Sequence, residues 1–273
     1  GHGGRIVRAR VDRRAVAGGG ERRKPHAVGI WASAPRPIDR PRGPALVRPR
    51  PGRGLHSRPS MVALLESIPD VADVARMRGT AASAEGTPDL LLEVPHGATR
   101  AAHFDALRAA LVGTYAADLR DFFFVNTDVG APELATRIAE RFVAAEPTRT
   151  ALVIRSRVPR TFVDCNRALP TGAVASSTRS GQLTPGLMPW VKDARDRRLL
   201  LDRHAAYLDL VERAVSAVLP RGGRALMVHT YAPRSVDVAV DEHVVRSLHE
   251  AYRPENVDRW PLRPEIDLIT KTP

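Results

Sequence analysis

Cysteine is almost missing from this chain. Cys165 is the only one among 273 residues, so no internal disulfide can form and a thiol-rich metal cage is excluded. No apolar run approaches the roughly 18 residues of a membrane span, which leaves no membrane partner to expect. No apolar core follows the early arginines, so no secretory signal is legible and the expected compartment is the cytoplasm. Aromatic residues make up only 5%, and neither an aromatic platform nor a basic helix offers a surface for nucleic acid. No internal repeat is visible.

What is present is ordinary for a globular protein, at 43% hydrophobic and 26% charged residues. The formal charge of +12 is not spread evenly. Residues 1–60 carry 15 of the 42 basic residues and only three of the 30 acidic ones, Asp12, Glu21 and Asp39, while the remainder holds 27 of each sign. The same 60 positions contain 10 of the 20 glycines and 8 of the 23 prolines, with no Phe or Tyr. Such a composition cannot bury enough apolar surface to offset chain entropy, which predicts a disordered basic arm. Three readings of the arm stay open: a phosphate-binding arm, an Arg-rich transit peptide, or non-native sequence translated from GC-rich DNA upstream of the first methionine, Met61.

Residues 61–273 read as one domain. Periodicity predicts a helix from Met61 to Met77, a small-residue linker over Gly79–Pro88, and a buried strand over Asp89–Val94 stopped by Pro95. A helix over Ala101–Leu111, a strand over Phe122–Val125, a helix over Pro132–Ala145 and a strand over Ala151–Ile154 follow. After a loop over residues 170–189 come a long helix from Val191 to Leu219 and a strand over Arg224–His229. A helix over Val240–Tyr252 and a possible strand at Ile266–Ile269 complete the pattern. Short apolar strands alternating with helices predict an α/β domain with a mixed, mainly parallel sheet flanked by helices.

Ligands of such sheets bind beyond the carboxyl ends of the strands. The predicted strands deliver Pro95-His96-Gly97, then Asn126-Thr127-Asp128, then Arg157, Arg160, Asp164, Asn166 and Arg167, and finally His229-Thr230. Two histidines and an aspartate converging from separate strands have the composition of a catalytic zinc site with one position open. From spacing alone the alternatives remain open: each histidine as a hydrogen-bonded loop residue, Asp128 as a cap of the following helix, and Asp164-Cys165-Asn166-Arg167 as a structural turn.

Val94-Pro-His-Gly97, Thr127-Asp128, Val163-Asp-Cys-Asn-Arg167 and His229-Thr230 occur in an order and spacing that resemble the N-formylglutamate amidohydrolases, over roughly residues 88–270. That family is similar in fold to zinc carboxypeptidases (phosphorylase/hydrolase-like). The resemblance implies a zinc-dependent hydrolase of linear amides that cleaves an N-acyl, N-formyl-like amino acid with a zinc-activated water. It implies His96, Asp128 and His229 as metal ligands. It implies Asn166 and Arg167 as the grip on a substrate carboxylate, with Arg157 and His204 as further substrate-binding or supporting residues. A planar guanidinium suits a carboxylate in a way a lysine does not.

Three positions depart from the family pattern: Gly97-Ala98 stands where Ser-Gly is usual, Cys165 replaces a leucine, and Met227 stands where an Asp often precedes the last histidine. The family also continues past the position of Pro273 to a late catalytic glutamate, so the sequence reads as incomplete at its C-terminus, and no general base is assigned. Glu93, three residues before His96, is expected on the opposite face of its strand. Two other functions stay in view: a non-catalytic member that binds small acids, and nucleic-acid binding through the basic arm.

Overall fold

The computed structural model describes residues 27–32, 65–167, 169 and 186–270. Four strands form one side of a mixed open sheet: β2 (Ala72–Arg78), β3 (Leu90–Val94), β4 (Thr150–Ser156) and β5 (Arg224–Tyr231), in the order β2-β4-β3-β5 with β2 at the edge. β3 runs parallel to both β4 and β5, and β2 lies antiparallel along the outer side of β4. Beyond β5 the sheet continues with β1 (Ala27–Ala32), antiparallel to β5, and β6 (Ile266–Thr270), parallel to β1.

Each face of the sheet carries its own apolar layer, which is why the buried strands read as unbroken apolar runs rather than alternating ones. On one face α3 (Ala131–Ala145) lays Ala131, Ala135 and Ala139 against Leu90, Leu92, Val94, Ala151, Val153 and Val228. Alanines one turn apart let this helix approach the strands closely. The other face carries α1 (Ala101–Ala110), α2 (Leu119–Asn126) and the long α4 (Ala194–Val218). Phe104, Phe123, Leu200, Tyr207 and Leu210 fill that layer with Leu91, Leu152 and Ile154. Asp196 fastens α4 to the loop after α1, accepting the Val112 and Gly113 N–H groups and the Tyr115 hydroxyl at 2.8, 2.8 and 2.7 Å. α5 (Val244–Ala251) and the short α6 (Pro254–Val257) follow β5.

Two expected elements are of the other type. Phe122–Val125 is helical: Leu119, Phe122 and Phe123 are buried at helical spacing while Phe124 and Val125 face outward. The predicted Met61–Met77 helix is, over its described part, a β-bridge between Ile68 and Ala72 followed by β2. Seven register pairs with β4, from Ala72↔Ser156 to Arg78↔Thr150, override the local period. The expected helix over Val240–Tyr252 begins at Val244, where Asp241 accepts the His243 N–H at 2.8 Å. Within the basic arm, Ala27–Ala32 is a strand rather than disordered chain, and the rest of the arm lies outside the described residues, as does most of the 170–189 loop. No described helix is long and apolar enough to cross a membrane.

Candidate metal centre

The carboxyl ends of β3 and β5 meet the turn between α2 and α3. Pro95-His96 leaves β3, His229 lies near the end of β5, and Asp128 sits between the two helices. Asp128 thus arrives from a helix–helix turn and not from a strand end. It does not cap α3 either: Gly130, at φ 87°, is the cap residue, and the Asp128 carboxylate turns inward. Its Oδ2 lies 2.8 Å from His229 Nδ1 and 3.3 Å from His96 Nδ1, and it accepts the Thr230 N–H at 3.3 Å. The imidazole rings are tilted at 58° with centroids 4.9 Å apart.

All three side chains are buried, and their candidate ligand atoms lie within 4.8 Å of one another. A tetrahedral ion about 2.1 Å from each donor would set its donors about 3.4 Å apart. The 3.3 Å separation is near that spacing, and the 2.8 Å one is a hydrogen bond that an ion would have to open. With all the donors within 4.8 Å of one another, His96, Asp128 and His229 could hold a metal ion.

The far edge of the His96 ring is fixed by a residue whose role the spacing did not reveal. His96 Nε2 lies 2.8 Å from Asp164 Oδ1, and Asp164 is fully buried. A carboxylate behind a liganding imidazole fixes its tautomer and orientation and raises its basicity. Asp164 is itself held, accepting the Asn166 N–H at 2.9 Å and the Arg160 Nε–H at 3.2 Å. The Asp-Cys-Asn-Arg stretch was conspicuous in the sequence, but nothing in it pointed to a histidine 68 positions away.

The charges divide unequally between the two histidines. Burial and the Arg160 guanidinium oppose a proton on His96, yet the carboxylates of Asp128 and Asp164 outweigh them and its pKa rises. Burial lowers the pKa of His229, against the pull of Asp128. Burial also opposes ionisation of Asp128 and Asp164, but the imidazoles hold both carboxyls far below the usual range, with Arg160 adding to the effect on Asp164.

Arg167 Nε stands 3.8 Å from Asp164 Oδ2, and this buried atom has no hydrogen-bond partner among the described residues. The buried His204, on α4, bonds the Arg167 carbonyl through Nε2 at 2.7 Å and so supports the turn from beneath. Asn166 follows Asp164 in the same turn. Arg157 is turned toward the sheet's β2 side, where it pairs with Asp73 at 3.5 Å and its N–H reaches the Val71 carbonyl. Gly97 has a steric reason to lack a side chain, because a Cβ there would meet the Arg155 side chain and stand 2.9 Å from the Ser156 carbonyl oxygen.

Glu93 lies behind the site on the α4 side, where it accepts the Tyr207 hydroxyl at 3.1 Å. Burial pushes its pKa up to about 7, against that hydrogen bond and the charge of His96. Cys165 is buried beside Ser156, and burial pushes its thiol up to about 12, which disfavours the thiolate that a nucleophile needs. Compared with known proteins, the chain matches no protein-family model, no curated protein and no solved structure.

Proposed function

We propose that this protein is a zinc-dependent amidohydrolase of zinc-carboxypeptidase-like fold that cleaves the amide bond of an N-acyl amino acid. The observation that carries the reading is the buried convergence of His96 Nδ1 and His229 Nδ1 on Asp128 Oδ2, with Asp164 bracing His96 from behind. Two imidazoles and one carboxylate are a donor set typical of hydrolytic zinc, which polarises the scissile carbonyl and acidifies the attacking water.

The chain's own residues supply position and charge. Arg167, presented next to Asp164 and backed by His204, takes the substrate carboxylate as a planar two-pronged donor. Holding that end fixes the scissile bond beside the donors, which lowers the entropic part of the barrier. Arg160, bonded to Asp164, adds positive charge beside His96.

A second reading, a zinc protein that binds small acids without turning them over, is favoured by one observation. The three buried carboxylates of the site are all committed: Asp128 to both histidines, Asp164 to His96 and Arg160, and Glu93 to Tyr207. A zinc count on purified protein, combined with turnover of N-acyl amino acids, separates the two readings. The hydrolase reading expects one zinc per chain and turnover. Asp164→Asn should weaken zinc binding about 10- to 100-fold. Stoichiometric zinc without turnover favours the binding protein, and absence of zinc overturns both.

A further inference from the structure

Beside the metal donors lies a second feature that the metal reading does not use, a cavity of about 620 Å³ between α2, the end of β5 and α5. Its size falls within the roughly 300–1,000 Å³ of small-molecule sites. Phe124 and Val125 of α2, Val129 after Asp128, and Leu248 and Tyr252 at α5 line it. Phe124, Val125 and Val129 are 45%, 51% and 47% exposed, so three large apolar side chains meet water in one hollow. Scattered exposed apolar residues are normal, whereas their concentration in a concave site marks a binding surface.

The position of the cavity relates it to the donors. Thr127 and Val129, the two neighbours of Asp128, and Thr230, the neighbour of His229, all form its wall. Both threonines have already committed their hydroxyl protons, Thr127 to the Ala98 carbonyl at 2.9 Å and Thr230 to the Val129 carbonyl at 2.8 Å. Neither hydroxyl of the wall nearest the donors is therefore free to donate to a ligand. Asn166 and Arg167 follow Asp164, which holds the Nε2 edge of His96, while Asp128 faces the opposite, Nδ1 edge.

Resting on the hydrolase reading above, we infer that this cavity receives the acyl portion of the substrate and selects an extended apolar acyl chain over a formyl group. A substrate gripped by its carboxylate at Arg167, with its amide at the donors, extends its acyl group away from Arg167 and toward the Thr127–Val129 wall. A formyl group would leave the hollow unfilled.

The test uses the full chain and two readouts. The first is calorimetric binding of uncharged aliphatic primary amides, from acetamide to octanamide, to protein stripped of metal with a chelator. Affinity should rise up to about fourfold per methylene. Val125→Trp, which fills the cavity, should abolish the rise. Val112→Trp, at another exposed valine outside the cavity, should leave it intact. The second readout is kcat/KM of the zinc-loaded enzyme for N-formyl, N-acetyl, N-hexanoyl and N-octanoyl glycine, with the longer chains preferred through lower KM. Affinity independent of chain length, or a rise that survives Val125→Trp, overturns the assignment. A length-dependent rise without turnover of any N-acyl amino acid supports the cavity assignment and removes the hydrolase reading instead. Turnover that favours N-formyl glycine over the longer acyl groups overturns the inference and leaves the hydrolase reading standing.

Discussion

His96 sits between two carboxylates, and its two ring nitrogens can donate to both only if the imidazole is doubly protonated. A cation entering at Nδ1 must displace that proton. On the zinc reading, binding should therefore release about one proton, and affinity should fall about tenfold per pH unit below the raised pKa of His96. Zinc titrations in buffers of different ionisation enthalpy count the protons directly, and a count of zero would mean that His96 is neutral. Glu93 makes the opposite kind of contribution. Its folded pKa of about 7 lies above the ordinary 4.5, so between those values the folded chain holds a proton that the unfolded chain has lost. Stability must then fall as pH rises through that window, by up to about 3 kcal/mol. Glu93→Gln keeps an acceptor for Tyr207 and should flatten the dependence, gaining on the order of 1–3 kcal/mol above pH 7. Urea unfolding at pH 5 and pH 8 checks it, and parallel curves for the two proteins would contradict the assignment.

At the scale of elements, α2 decides the most, because its helical turn sets where Asp128 emerges. Phe122-Phe-Phe-Val125 is a short apolar run, and such runs fit a buried strand and a buried helix equally well by period. The structure separates them by burial: Phe123 is fully buried, while its neighbour Phe124 faces the cavity. Phe123→Ala should cost about 3–5 kcal/mol and Phe124→Ala far less. Equal losses in a denaturant titration would argue against the helix. β3, β4, β5, α1, α3 and α4 were legible in the sequence because their periods are long or bounded by proline and glycine. β2 was not, because its conformation is imposed by β4, some 80 residues further along. The convergence of His96, Asp128 and His229 was legible for a related reason. Strand-end placement finds His96 and His229 directly, and Asp128 was reached although its assumed strand is a helix. The Asp164–His96 contact is a tertiary fact that no local pattern carries.

At the scale of the whole molecule, β1 joins a stretch of unpromising composition to the sheet, its Gly29 lying opposite His229 and its Trp31 opposite Met227. Ile30→Pro would remove a ladder hydrogen bond from a strand flanked on both sides. It should cost at least about 1 kcal/mol. An unchanged thermal transition would show that β1 adds nothing to the domain. The donors have a consequence of their own at this scale. His96, Asp128 and His229 come from three separated places along the chain and exist as a group only once it has folded. An ion held there would find its site only in the native state and would act by mass action on folding itself, adding about 4 kcal/mol at a free concentration 1,000 times its Kd. Total stabilities are commonly about 5–15 kcal/mol. The metal supply of the surrounding medium would thus help to set how much of this protein is folded at any moment, and two preparations of identical sequence could differ in heat resistance because of what was in the growth medium.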